Sequence, residues 1–361
     1  FQYVPGFQLN QYRKRHRSIW ARGMIDRYND KMILMVDGVK TRHLYYNHFE
    51  LGDNFPIEKV ERVEIIVGPA SSLYGANAFA GIVSITTRDF APGKRTEWTA
   101  ELGNHGRAKG TAWYSDERLQ MLVSHLDQDA PFRESRRSFV GGPTQQPLGE
   151  DYTDLFLKAR PLDGLTLSVD YQRERMPFLF IPDTEDAGIE NRPLTLSAGY
   201  ETGDLEQGRL EAQAYYRRDR VQEEEIEQVT RRLAYRESQD ADLLGVNVTA
   251  FKRVLDGHHL ALGASWEQER ADDMSYFRAW DFRRGFFDEP VRGSLLSDPD
   301  ACNDNFAVYG QDVWELRTDL TLTLGARYDE YQAFGGFFNY RGALVYQPDR
   351  EQVVKLLYGT G

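Results

Sequence analysis

The chain has 361 residues, a net charge of −12 and an aromatic content of 13%. Its negative balance argues against a nucleic-acid-binding protein, which would usually present a basic face. No stretch approaches the roughly 20 apolar residues that a transmembrane helix needs, so a helical inner-membrane protein is excluded. The single cysteine, Cys302, excludes an internal disulfide framework.

The first 92 residues predict a compact α+β domain. Short apolar strands are expected at residues 32–36, 63–67 and 81–87, because each is rich in aliphatic residues and ends near a turn signal. Residues 57–63 are amphipathic and fit either a short helix or the lead-in to a strand. A change of composition at Ala91-Pro92-Gly93 places the domain boundary between residues 92 and 93. Residues 1–92 contain 12 Lys and Arg against 9 Asp and Glu, and the remainder contains 32 against 47, so the two regions should attract each other.

Residues 93–361 predict long antiparallel strands. In 165–172 every odd position is apolar and every even one is polar, which gives one apolar and one wet face. About 13 such strands can be counted, and almost every second connection between them is short. The short connections are 116–118, 161–164, 203–207, 255–258, 316–319 and 347–351. The long ones are 128–152, 173–193, 220–240 and 268–304.

This sorting of connections favours a membrane barrel over a soluble β-sandwich. Outer-membrane barrels have short periplasmic turns and longer external loops, whereas a sandwich has no reason to alternate them. We therefore expect the short connections at the same end as Pro92 and the long ones at the opposite end. Because bacterial barrels close with an even number of strands, the odd count indicates an incomplete barrel.

An ordered set of motifs in the first domain carries the functional prediction. The set contains Arg22-Gly23, Leu34-Met35-Val36-Asp37-Gly38-Val39, Pro56-Ile57-Glu58-Lys59-Val60-Glu61-Arg62-Val63-Glu64-Ile65, Gly68-Pro69-Ala70-Ser71-Ser72-Leu73-Tyr74-Gly75-Ala76-Asn77-Ala78-Phe79-Ala80-Gly81 and Ile82-Val83-Ser84-Ile85-Thr86-Thr87. Each piece alone is an ordinary turn, strand or small-residue run. In this order they resemble the plug domain of TonB-dependent outer-membrane receptors.

The resemblance implies an α+β plug domain (1–92) inside an antiparallel transmembrane β-barrel (93–361), here about 13 of an expected 22 strands. It implies a receptor of the bacterial outer membrane, in contact with outer-membrane lipid and lipopolysaccharide, that takes up a scarce small-molecule nutrient. An iron–siderophore complex is favoured, and haem and cobalamin are alternatives. Energy would come from the TonB–ExbB–ExbD complex through an N-terminal box that is expected to precede Phe1. No cofactor, resident metal or catalytic residue is expected.

The same resemblance predicts contacts between plug and barrel wall. In many family members an Arg before the Gly-Pro and the Arg of the upstream Arg-Gly pair with carboxylates of the wall. This chain has Val67 at the first of these positions and keeps the second as Arg22. We expect Arg22 to meet wall carboxylates, with Arg62 or Arg88 as the substitute for the missing arginine.

Ligand binding is predicted on plug segments that the family's arrangement places at the end opposite Pro92. Aromatic and hydrogen-bonding side chains cluster in residues 40–55, and we expect a further group in 268–304 to form a lid. An arginine there would favour an anionic complex. The predicted binding residues are Arg42, His43, Tyr45, Tyr46, His48, Tyr276, Trp280 and Arg283. The alternative is that the aromatic residues pack against the wall and the polar ones are solvated.

A passive porin and an outer-membrane barrel enzyme are the two alternative classes of protein. A passive porin needs an open lumen, which a separate domain of about 90 residues argues against. An outer-membrane barrel enzyme would need a catalytic motif, and the sequence has neither a Gly-x-Ser-x-Gly nor a His-Glu-x-x-His pattern. Residues 68–75 lack the Gly-Lys-Ser/Thr ending of a phosphate loop.

Overall fold

The computed structural model describes residues 7–11, 17–21, 31–44, 55–67, 75, 78, 80–129, 135–137, 143–145, 149–177, 184–227, 232–281, 285–296 and 301–360. Within these ranges the chain is almost entirely β-strand. The helical content is one 3-10 turn, Ile57–Lys59, and no helix in the described ranges is long and apolar enough to cross a membrane.

The described residues of the first domain form six strands. They are β1 (Phe7–Gln11), β2 (Arg17–Ala21), β3 (Met32–Val36), β4 (Val39–Lys40), β5 (Val60–Val67) and β6 (Gly81–Thr87). β1 and β2 form an antiparallel pair, and the others form a sheet in the order β4-β3-β6-β5. Residues 57–63, left open between helix and strand, form the 3-10 turn and then the start of β5.

The core of the plug lies around the central strands β3 and β6, which run parallel to each other. Their aliphatic side chains are buried, with Ile82 and Val83 at most 1% exposed. Phe7 and Ile19 of the β1–β2 pair pack onto the same cluster. β6 is rich in β-branched residues and β3 in aliphatic ones, and such side chains pack well on a pleated surface.

The second domain is one large antiparallel sheet. Its strands are β7 (Arg95–Leu102), β8 (Ala108–Ser115), β9 (Leu119–Gln128), β12 (Glu150–Leu162), β13 (Leu165–Pro177), β14 (Thr184–Asn191), β15 (Leu194–Asp204), β16 (Gly208–Glu227), β17 (Leu233–Leu255), β18 (His258–Asp281), β19 (Gly285–Ser294), β20 (Cys302–Arg317), β21 (Leu320–Tyr331), β22 (Gly335–Tyr346) and β23 (Val354–Gly359). A separate short pair, β10 (Ser135–Arg137) and β11 (Pro143–Gln145), lies between β9 and β12 in the chain.

Apart from β14, β15 and β19, the strands of the sheet lie side by side in chain order from β7 to β23. β14 and β15 share one place between β13 and β16, and β19 pairs with the far end of β18. This leaves a path of 13 strands in the described chain, as the sequence predicted. A plug followed by part of an antiparallel barrel is therefore confirmed.

Strand registers place the tight turns at one end of the sheet. Arg95, which begins β7 just after Pro92, pairs with Ser115 beside the first turn. The next turn lies at the same end because Leu119 pairs with Ala159. The remaining turns are closed by Leu162 with Leu165, Asp204 with Gly208, Leu255 with His258, Arg317 with Leu320, and Tyr346 with Val354. The predicted position of the short connections is confirmed.

The predicted long loops are wrong in extent. β16, β17 and β18 contain 20, 23 and 24 residues and occupy much of 220–240 and 268–304. β13, β14 and β19 take up further parts of the predicted loops. The prediction ended each strand where apolar residues stopped alternating. A β-ladder needs only backbone hydrogen bonds, so charged segments continue it beyond the apolar band.

The two faces of the sheet differ in a way that decides its environment. Apolar side chains lie on the outward face, where Leu210, Leu262, Val308 and Leu324 are between 40% and 54% exposed. Polar side chains on the inward face are buried, including Gln120, Asp154, Arg217 and Asp329. This is the reverse of a water-soluble sandwich, whose apolar face is hidden, and it is the arrangement of a barrel in lipid.

Candidate functional site

The segment after β3 follows the wall formed by β16 to β18. Gln213 Nε2 donates to the backbone oxygen of Asp37 at 2.7 Å, near the tight-turn end. Further along, Lys40 Nζ lies 2.7 Å from Glu267 Oε2, and the backbone N–H of Leu44 donates to Asp219 at 3.2 Å. Residues 37–44 of the plug, the climbing segment, therefore run along the wall away from the tight turns.

Arg42 lies within this climbing segment and contacts the wall directly. Its guanidinium forms an ion pair with Glu269, and its side chain is 19% exposed. Glu267, the neighbouring inward carboxylate, also accepts from the hydroxyl of Tyr215. Arg42 is thus one cation in a charged network shared by plug and wall.

The Asp37–Gly38 turn is fixed from both sides. Both residues have positive φ, 46° and 82°, which suits the Asp-Gly pair in a tight turn. The Asp37 carboxylate accepts from the backbone N–H of Thr87 at 2.8 Å and from its hydroxyl at 2.6 Å. On the wall, Lys158 Nζ donates to the same hydroxyl at 3.0 Å.

The most deeply buried contact between plug and wall involves Lys59. Its Nζ donates to Asp154 at 2.9 Å and to Asp170 at 2.8 Å, and its side chain is fully buried. The rings of Phe55 and Phe156 lie 4.8 and 5.5 Å from the ammonium. Burial acts to lower the pKa of Lys59, but attraction to Asp170 and Asp154 outweighs it and raises the pKa. Lys59 therefore stays charged.

At two further contacts the plug supplies the negative charge and the wall supplies the positive one. Lys109 of the wall lies 2.5 Å from Glu58 of the plug, and Arg160 lies 3.3 Å from Asp89. Arg88 pairs with Glu97 at 3.0 Å where the chain enters the barrel. Plug and wall therefore each contribute both positive and negative groups to their contact, and the opposite net charges of the two regions describe only part of it.

Two family models match this chain. One describes the TonB-dependent receptor plug domain and matches residues 1–82. The other describes the TonB-dependent receptor-like β-barrel and matches residues 123–361. The chain belongs to the TonB-dependent receptors. An outer-membrane location follows from this family and from its strand-built, outwardly apolar structure.

Curated relatives share modest identity with this TonB-dependent receptor. An iron-regulated outer membrane virulence protein of Vibrio cholerae is 24% identical over 95% of the chain and 51% of its own length. The vitamin B12 transporter BtuB of Vibrio vulnificus is 23% identical over 89% of the chain and 54% of its length. The chain thus spans about half the length of these relatives.

Solved structures share the receptor fold. The ferric enterobactin receptor of Pseudomonas aeruginosa, in complex with enterobactin, superposes with a TM-score of 0.68 at 18% identity, over 98% of this chain and 58% of that one. The FrpB iron transporter of Neisseria meningitidis gives a TM-score of 0.69 at 14% identity, over 98% of this chain and 60% of that one. At these identities the likeness concerns the fold alone.

The arginines predicted to join plug and wall have different outcomes. Arg22 lies outside the described residues. Arg62 is exposed on β5 and pairs with Glu64 of the same strand at 3.3 Å. Arg88, the alternative substitute, does meet a wall carboxylate, Glu97 of β7. Within the described part of the receptor, wall carboxylates also meet Lys40, Arg42 and Lys59. The contact of Arg62 with a wall carboxylate stays a prediction for the complete barrel.

Some of the predicted ligand-binding residues lie in the described part of the structure. Arg42 and His43 lie in the segment that climbs the wall, whereas Tyr45, Tyr46, His48 and Arg283 lie outside the described residues. Tyr276 and Trp280 belong to strand β18, where they pair with Gly293 and Phe286 of β19. The prediction that these two stand on a lid loop is wrong, because backbone pairing continues through this segment.

Three carboxylates on the outward face are close enough to hold a metal ion. Oxygens of Asp240, Asp242 and Asp272 lie within 4.8 Å of one another. Arg218 already lies among them, with donors 2.8 Å from Asp240 and 3.5 Å from Asp272. The guanidinium supplies the positive charge that the cluster needs, so its chemistry is that of an ion-pair network.

Proposed function

We propose that the protein is a TonB-dependent active uptake receptor that binds a scarce nutrient and imports it across the outer membrane. The observation that supports this most strongly is a separate plug domain docked on the polar inner face of an outwardly apolar sheet. A plugged lumen needs energy to pass its cargo, whereas a porin conducts through an open one. Members of this family are transport receptors, and we propose no catalytic residue.

The cargo is proposed to be an iron–siderophore complex, with haem or cobalamin as alternatives. The names of two similar proteins support iron, namely the iron-regulated protein of Vibrio cholerae and the ferric enterobactin receptor of Pseudomonas aeruginosa. The similarity to BtuB of Vibrio vulnificus, a vitamin B12 transporter, supports cobalamin as an alternative cargo. A ligand assay must therefore include all three classes.

The proposed partners follow from the same function. The TonB–ExbB–ExbD complex would supply energy through an N-terminal box of the whole protein. The outward apolar band would lie in outer-membrane lipid. The charged margin of this band lies toward the end opposite the tight turns and includes Arg220 and Arg270, both more than half exposed. This margin would meet lipopolysaccharide.

The proposed binding surface is the part of the plug that follows Arg42. Its support is that residues 40–44 run along the wall away from the tight turns. A guanidinium has five N–H donors, so the pair with Glu269 leaves Arg42 donors for an anionic ligand. His43, Tyr45, Tyr46, His48 and Arg283 would add hydrogen bonds and aromatic contact, and Tyr276 and Trp280 would contribute from the wall.

Uptake measurements test the function directly. The complete receptor should import one labelled ferric siderophore, haem or cobalamin in cells with TonB and lose this uptake in cells without it. The purified receptor should show almost no steady conductance in planar bilayers. Uptake that is independent of TonB, together with steady conductance, would identify a porin instead.

A separate variant tests the binding surface. Replacing Arg42, Tyr45 and Tyr46 together by Ala in the complete receptor should weaken binding of the imported ligand at least about tenfold, or about 1.4 kcal/mol. The matched control replaces Arg253, Tyr200 and Tyr346, which lie near the tight turns. Unchanged affinity in the first variant would move the site elsewhere on the receptor.

A further inference from the structure

The cluster around Lys59 contains one positive and two negative groups. Asp154 and Asp170 extend from neighbouring wall strands, and their side chains are 4% and 18% exposed. The ammonium of Lys59 lies between them and is fully buried. If both carboxylates were ionised, the cluster would hold one uncompensated negative charge.

Among the described residues, the surroundings do not supply a second cation. Phe55 and Phe156 contribute rings, and Gln172 donates its amide to Asp154 at 2.8 Å. Lys158, two positions beyond Phe156 on the same face, donates instead to Thr87 and to the backbone of Arg88. Within the described chain, the ion pairs of both aspartates are with Lys59 alone.

The other neighbouring titratable groups also belong to different contacts. Glu58, beside Lys59 on the plug, pairs with Lys109. Tyr152 and Glu174 face each other on the next inward positions of β12 and β13, and each has interactions of its own. On β9, the residue opposite Asp154 is Ser124, which shares a hydrogen bond with Thr111. None of these groups balances the second carboxylate.

Each of the two carboxylates has one oxygen without a hydrogen bond among the described residues. Asp154 Oδ1 and Asp170 Oδ1 are both buried, and neither has a hydrogen-bond partner among the described residues. A buried group without a partner, like an uncompensated buried charge, is costly. A proton on one carboxylate would remove the excess charge and turn one bare oxygen into a donor.

We propose that the docked plug holds one proton on the Asp154–Asp170 pair, so that this cluster is a proton-binding site formed only when Lys59 enters it. Once the plug is withdrawn, water reaches both carboxylates. An exposed aspartate has an ordinary pKa of about 3.9 and is ionised at neutral pH. Docking therefore takes up a proton, and withdrawal releases it.

The sign of the pH effect follows from this proton count. The docked state binds more protons than the withdrawn state, so a lower pH favours docking. Above pH about 4, each further pH unit should weaken docking by up to about tenfold, until the docked cluster also loses its proton. This inference rests on the proposed uptake function only for the movement of the plug, because the proton itself is present in the resting receptor.

Infrared spectroscopy of the complete receptor at neutral pH tests the bound proton without ligand or TonB. The native protein should show the C=O stretch of a protonated carboxylic acid. Both Asp154→Asn and Asp170→Asn should lose this band, because in each the remaining carboxylate is balanced by Lys59. The matched control, Asp219→Asn, removes a buried aspartate that already pairs with Arg217 and should keep the band.

The pH dependence of docking provides the second measurement, with denaturant-induced channel opening in planar bilayers as the readout. The native receptor should open more readily as pH rises above neutrality, and Asp154→Asn should remove this slope without opening the channel. A native receptor without the band, or a band that survives in both cluster variants, would overturn the proposal. A slope unchanged in Asp154→Asn would do the same.

Discussion

The interior of the plug and its contact with the wall are held together by different forces. Around β3 and β6 the interior contains aliphatic side chains such as Ile82 and Val83, which are almost completely buried. The wall contact consists of ion pairs and hydrogen bonds, among them those of Lys40, Lys59 and Gln213. Hydrophobic burial depends on area and not on direction, whereas ion pairs are directional and sensitive to their partners.

This difference matters for a domain that must leave its place without being destroyed. An aliphatic interface would hold the plug in the barrel as firmly as its own core is held. Charged groups lose less when separated, because water solvates them on both sides once they part. The plug can therefore be stable in itself and releasable from the wall. The following predictions test this contrast.

The largest effect is expected in the plug core. Ile82→Ala removes a fully buried side chain next to β3 and should cost about 3 kcal/mol of plug stability. Amide exchange of β3 and β6 in the complete receptor should become about 100-fold faster. Ile57→Ala is the control, because Ile57 is 75% exposed and its loss should leave exchange unchanged. Equal effects of the two variants would contradict the assignment of the core.

A smaller and more local effect is expected at Lys40. Lys40→Met removes the partner of Glu267 and should weaken the docking of the climbing segment by about 2 kcal/mol. Exchange should accelerate at Leu44, whose N–H donates to Asp219 of the wall, but not in β3 or β6, since the core does not depend on this pair. Lys94→Met, at an exposed site before β7, serves as the control. Faster exchange throughout the plug would show that core and contact are not separable.

A single neutral hydrogen bond should contribute less. Gln213→Ala removes the donor to the backbone oxygen of Asp37 and should cost about 1 kcal/mol of docking. The expected result is an exchange rate several-fold faster at the Asp37–Gly38 turn. Gln207→Ala, at an exposed tight turn, should change nothing there. The turn would prove independent of the wall if both variants behaved alike.

The smallest effect is expected at Arg62. In the described chain its partner is Glu64 on the exposed face of β5, and such surface pairs contribute little. Arg62→Ala should leave denaturant-induced channel opening unchanged, in contrast to Lys59→Met, which strands two buried carboxylates. Opening as easy as in Lys59→Met would show that the rest of the barrel supplies the carboxylate predicted for Arg62.

Much of the fold could be predicted because its signals are local. Alternation of apolar and polar residues has the period of a strand wherever it occurs, as in Leu165 to Gln172. Tight turns are defined by a few adjacent residues, so their common end followed from counting. Strand ends were predicted less well, since apolar alternation stops in the charged segment of β16 where backbone pairing continues, as from Gln222 with Ser238 to Glu225 with Tyr235.

The candidate site was predicted less completely. The sequence indicated that plug cations should meet wall carboxylates, and it singled out Arg22, with Arg62 or Arg88 beside it. It gave no reason to choose Lys59, which stands in a run of charged and apolar residues like many others. Tyr276 and Trp280 were assigned to a loop because the sequence does not show that β19 pairs with β18.

The sequence by itself determined that a plug precedes an antiparallel barrel, and which end of the barrel carries the tight turns. These properties depend on neighbouring residues, whose geometry a strand or turn dictates. Only the tertiary structure decided which charges meet. Lys59 is 95 residues from Asp154 and 111 from Asp170, and only the docking of two separately folded domains brings them together.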